Sequence, residues 1–136
     1  MNYFYYALAI FAGFLITLFG SVNITGSIQG AIYGPYPFDG KVPLVRTLTD
    51  FFFSFGFTVL GGYAAARITT SNRVLVALSG GMAYFVLSAY WYSGYGLTPD
   101  QWIVAIITLI KVPIAAYLGA KLYQKYSMSA QESADT

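Results

Sequence analysis

The sequence predicts an all-α membrane protein in which four transmembrane helices form a bundle of two hairpins. The first observation behind this is composition: 57% of the 136 residues are hydrophobic and only 9% are charged. An ordinary soluble domain carries roughly 25% charged residues. So small a chain could not hide this much apolar surface from water. The second observation is the run length, since four apolar stretches are long enough to cross a hydrocarbon core about 30 Å thick. The third is the absence of the alternating apolar and polar pattern that barrel strands require, for example over Ala7–Phe19. Inside lipid each span must satisfy its own backbone, which leaves helices.

The spans are expected at about 4–21, 48–66, 74–92 and 102–120, within one domain covering 1–126. Between the first two lies a Gly/Pro/Tyr-rich stretch, Asn23 to Lys41, whose glycines and prolines read as turns. Pro43 is placed to open the second helix at its first position, where a missing N–H costs nothing. Thr69-Thr70-Ser71-Asn72 offers a tight connection with capping chemistry. Ser93-Gly94-Tyr95-Gly96 stops the third span, and Thr98-Pro99-Asp100-Gln101 resembles a capping box for the fourth. The polar tail, 127–136, is expected to be disordered. With Met1-Asn2-Tyr3 lacking a basic n-region, the first apolar run reads as a retained helix.

Arg67, Arg73, Lys121 and Lys125 share one end of this layout, and Lys41 and Arg46 the other. The positive-inside rule then puts both termini in the cytoplasm, with a bacterial inner (plasma) membrane as the expected location. Aromatic belts mark both ends: Tyr3, Tyr5, Tyr6, Tyr123 and Tyr126 on one, Tyr90, Trp91, Tyr92, Tyr95 and Trp102 on the other. A shift of 54 residues lays Gly61-Gly62-Tyr63-Ala64-Ala65-Ala66-Arg67 on Ala115-Ala116-Tyr117-Leu118-Gly119-Ala120-Lys121. That is a weak repeat, of the kind two hairpins in the same orientation produce.

Helical spacing gathers small and polar residues onto one face of each span. These are Ala9, Gly13, Thr17 and Gly20; then Thr47, Asp50, Ser54, Thr58, Gly61 and Ala65; then Ala77, Gly81, Tyr84 and Ser88; and last Gln101, Thr108, Lys111, Ala115 and Gly119. Small residues every fourth position let membrane helices approach closely.

Charge sets two of these faces apart. Lys111 lies nine residues past Trp102, hence roughly 13 Å inward and near the bilayer centre, where a lysine costs about 3 kcal/mol on insertion scales. Asp50 belongs about 10 Å above it, beyond easy reach of a lysine stem, so the hydroxyls of Ser54, Thr58, Thr108 or Tyr84 are candidates to bridge them. Pro113 cannot donate to the carbonyl of Leu109, which predicts a kink and a second acceptor for Lys111. Lys111, Asp50, Ser54, Thr58, Thr108 and Tyr84 therefore make up the candidate intramembrane polar site.

The chain has neither Cys nor His, which excludes disulfides, thiolate nucleophiles and Cys or His metal centres. No cofactor or metal is expected, no catalytic residue is assigned, and a net charge of +2 does not suggest nucleic acid. Asn23-Ile24-Thr25 matches a glycosylation sequon, a pattern common by chance.

Leu60-Gly61-Gly62-Tyr63-Ala64-Ala65-Ala66-Arg67-Ile68 resembles the end of the second helix in small four-helix bacterial inner-membrane proteins of unknown function. The resemblance implies a four-helix inner-membrane protein and no activity. Val22-Asn23-Ile24-Thr25-Gly26-Ser27 is similar to an Asn-x-x-Gly-Ser segment of small four-span fluoride channels, but lies at the end of the first span rather than within the second. The expected function is a structural, accessory or complex subunit without catalytic activity, as a homo-oligomer or within a larger membrane complex. The alternative is a small oligomeric channel or transporter using Lys111.

Overall fold

Apolar runs that must close their own hydrogen bonds become helices, and the computed structural model is built from them; it describes residues 3–35, 44–94 and 99–134. In order these are α1 (Tyr3–Leu18), a π-helical turn (Phe19–Ile24), α2 (Thr25–Tyr33), α3 (Leu44–Ile68), α4 (Arg73–Ser93) and α5 (Pro99–Ala134). Four segments are long and apolar enough to cross a membrane: Tyr3–Tyr33, Leu44–Ile68, Arg73–Trp91 and Ala105–Ala130. The fold is the expected all-α four-helix bundle.

The first span is longer than the sequence suggests. The stretch from Asn23, expected to turn, stays helical to Tyr33. Its glycines raise the cost of helix, but a backbone with no water to bond keeps its internal ladder regardless. The break comes at Gly34, in the left-handed region at φ 73°, whose N–H bonds the Gly30 carbonyl; Pro35 follows. Within the π turn the N–H and the hydroxyl of Thr25 both donate to the Gly20 carbonyl, the hydroxyl at 2.9 Å, so the helix widens by one residue there. At the other end α5 runs on as helix to Ala134, past the apolar part, where Ser-Met-Ser-Ala-Gln-Glu supplies adequate helix formers. The helix also passes through Pro113 without interruption. Pro43 and Thr98, expected to open helices, lie outside the described residues, as do Lys41, Tyr95 and the side chains of Tyr92 and Gln101.

Contacts fix the arrangement. α1 packs on α3 and α4, α5 packs on α3 and α4, α3 touches α4 across the short diagonal, and among the described residues α1 and α5 do not meet. Tyr6 hydrogen-bonds Ser71, and Arg73 lies over the Tyr123 ring, so the start of α1, the 69–72 turn and the far part of α5 share one end of the bundle. α3 and α5 run parallel: Lys111 meets Ser54, Gly119 lies against Val59 and Tyr63, and Tyr123 stacks edge-on with Tyr63 at 5.4 Å.

The small-residue faces are where the helices touch. Ala9, Gly13 and Thr17 are buried on α1, Gly20 in the π turn, Gly61 and Ala65 on α3, Ala77 and Gly81 on α4, Ala115 and Gly119 on α5. A Cβ on Gly61 would stand 2.3 Å from Thr17 Oγ1 and 2.6 Å from the Gly13 carbonyl oxygen. Neighbouring Gly62 serves the opposite side, where a Cβ would meet the Ala116 carbonyl oxygen at 2.3 Å. The Gly-Gly pair thus lets α3 approach α1 and α5 at one level, while large apolar residues such as Phe11, Phe52 and Ile110 stay exposed toward lipid.

Candidate functional site

α3 carries a polar column on its buried side. Arg46, Asp50, Ser54 and Thr58 recur every four residues, so helical geometry stacks them on one face. Arg46, Ser54 and Thr58 are buried, and Asp50 is half-buried. Ser54 is the hub. Its hydroxyl donates to the Asp50 carbonyl at 2.7 Å and accepts a hydrogen bond from Lys111 Nζ. The Ser54 carbonyl accepts from the Thr58 hydroxyl at 2.8 Å and from Ser21 of the π turn at 3.4 Å.

Lys111 is 5% exposed and reaches this hub from α5. Its side chain leans toward the helix N-terminus, as helical side chains do, and so meets α3 one turn below Asp50. The ammonium also lies 4.8 Å from the centroid of the Phe51 ring. A desolvated cation over an aromatic face gains about 2 kcal/mol, which offsets part of the burial cost. The carboxylate of Asp50 makes no hydrogen bond to the described residues; Lys111 and Arg46 act on it through space, one on each side. The order along α3 is positive, negative, positive.

Of the predicted site residues, the structure joins Lys111, Ser54, Asp50 and Thr58. Thr108 and Tyr84 are half-buried, and neither bonds Lys111. The freed carbonyl of Leu109 is not its partner either, because the ammonium turns to α3.

Two residues of the site are not apparent from the sequence. Arg46, counted in the sequence with Lys41 among the basic residues of the end opposite Arg67, is only 2% exposed; it donates from Nη1 to the Pro35 carbonyl at 3.2 Å and lies over the Tyr33 ring. Gln29 is fully buried beside it, donating from Nε2 to the Arg46 carbonyl at 3.3 Å. The i, i+4, i+8 spacing of Arg46, Asp50 and Ser54 is the signal that could have found the first. The cover over it, α2, is hidden by the turn-like composition of its stretch.

Comparison with known families, curated proteins and solved structures gives no match. Among the described residues no group of His, Cys, Asp and Glu could hold a metal ion.

Among the described residues Gln29 Oε1 meets no hydrogen-bond donor. A buried acceptor left unpaired costs about 1–3 kcal/mol, against roughly 1 kcal/mol contributed by a single neutral hydrogen bond. Gln29→Met, close in volume and free of that acceptor, is therefore expected to leave the detergent unfolding midpoint unchanged or raised. A fall of more than a few degrees would mean that Oε1 is satisfied.

Proposed function

We propose that this integral membrane protein is a non-catalytic structural or accessory subunit whose polar column fastens its own helices. The observation that carries the reading is the direction of Lys111. Its ammonium, the group most able to meet a solute near mid-membrane, faces the Ser54 hydroxyl and the Phe51 ring inside the bundle. Assembly with a second copy or with other membrane proteins fits the open side of α2. Gly26 and Gly30 sit one turn apart there with nothing within 4 Å of a Cβ position, unlike the glycines of the core. In this reading the end bearing Arg67, Arg73, Lys121 and Lys125 faces the cytoplasm of a bacterial inner membrane.

One observation favours a small oligomeric channel or transporter instead. Two of the three Lys111 N–H donors meet no acceptor among the described residues, as an ammonium awaiting an anion or water would. Liposome flux decides between the two. The structural reading expects no anion or proton flux above empty vesicles for the wild type or for Lys111→Met. Flux in the wild type that Lys111→Met abolishes, with oligomer size intact, would replace it by the transport reading.

A further inference from the structure

At the end of the bundle that holds the 69–72 turn, a cleft of about 600 Å³ opens between that turn, the start of α4 and Gln124 of α5. Its position is set by the spans: Leu44–Ile68 ends just before the turn and Arg73–Trp91 begins just after it, so the cleft lies at the membrane boundary. One side is polar, with Thr70, Asn72 and Gln124, whose side chains make no hydrogen bond to the described residues. The other is apolar, with Leu78 and the 64% exposed Leu75 facing the same direction as the lipid-facing surface of α4.

Arg73 stands between the two sides. Its Nε donates to the Thr69 carbonyl at 3.2 Å, and its guanidinium carbon lies 5.0 Å from the centroid of the Tyr123 ring. These two contacts fix the plane of the guanidinium. They leave Nη1 and Nη2, with four N–H donors, unbonded to the described residues. A guanidinium anchored at Nε presents the fork that matches two oxygens of a phosphate. Among the described side chains no carboxylate competes for it, since Asp50 stands on α3 in the opposite half of the bundle. Arg67, Lys121 and Lys125, all exposed at the same end, add positive charge.

We propose that this cleft binds the phosphate headgroup of an anionic phospholipid, with Arg73 as the bidentate donor, Thr70, Asn72 and Gln124 as neutral hydrogen-bonding groups, and Leu75 and Leu78 against the first acyl carbons. A polar pocket that opens onto an apolar helix surface at membrane depth fits an amphiphile better than a free ion. Zwitterionic lipid brings its own cation to a basic end and is the poorer ligand. The site rests on the chain lying in a bilayer and is independent of the assembly role proposed above.

The test uses the full chain in non-ionic detergent, titrated with short-chain phosphatidylglycerol, with phosphatidylcholine of the same chain length, and with inorganic phosphate. Unfolding midpoint and native mass spectrometry are the readouts. Phosphatidylglycerol is expected to raise the midpoint saturably and to stay bound as one adduct, at least tenfold tighter than either other probe. Arg73→Gln removes the fork and is expected to weaken that binding at least tenfold. Gln124→Glu, which keeps the Arg73 contacts to Thr69 and Tyr123 and sets a carboxylate on the facing wall, is expected to do the same without lowering the lipid-free midpoint. Equal binding of the two lipids, equal binding of inorganic phosphate, or phosphatidylglycerol binding unmoved by Gln124→Glu would each overturn the proposal.

Discussion

Gly119→Ala is expected to destabilise the bundle by about 3 kcal/mol, the upper part of the range for overpacking a tight contact. A Cβ at that position would stand 2.1 Å from the Val59 carbonyl oxygen and 2.7 Å from the Tyr63 nitrogen. Both are backbone atoms of α3, so no side chain can rotate away and the two helices must separate. Separation would also loosen Gly62 from the Ala116 carbonyl three residues earlier on α5. Alanine is the better helix former by about 1 kcal/mol, which makes the sign of the result informative. Gly56→Ala is the control: with nothing within 4 Å of that position, and away from the α2 face, it should hold or gain stability. Unfolding in mixed micelles with rising sodium dodecyl sulfate reads both. A Gly119→Ala protein as resistant as the wild type would mean that α3 and α5 do not approach this closely.

That tight approach is legible in the sequence, because a stripe of small residues at helical spacing has few other uses in a membrane. Gly13, Thr17, Gly61, Ala65, Ala115 and Gly119 all fall on buried faces. The pairing of Lys111 with the Ser54 level is legible in outline too, from helical rise and the lean of side chains. What stays hidden is set by tertiary context. Five phenylalanines surround α3 between 51 and 57, and nothing in their order shows that Phe51 alone receives the cation. Arg46 looks like a surface anchor for as long as Asn23 to Lys41 reads as turns. Glycines do favour turns in water; in a chain that must bond itself they extend a helix by nine residues past the π turn, and that extension covers Arg46.

Lys111→Glu is expected to cost about 3–5 kcal/mol, the penalty typical of leaving a buried charge without its partner. The substitution removes the donor to Ser54 and the cation over Phe51, and sets a second carboxylate near Asp50. Lys111→Met isolates the first two losses. It keeps a long apolar side chain in the space of the lysine stem, so its cost should stay within about 1.5 kcal/mol, as for shape-conserving replacement of buried polar groups. The difference between the two variants is the contribution of the misplaced negative charge. If Asp50 is the group that feels it, Asp50→Asn should return about 1 kcal/mol or more to the Lys111→Glu protein while doing little for Lys111→Met. Such a cycle, measured in the same micelles, separates an electrostatic link across α3 and α5 from simple packing. Equal effects of Asp50→Asn on both backgrounds would sever Asp50 from Lys111 and reduce the column to its hydrogen bonds at Ser54.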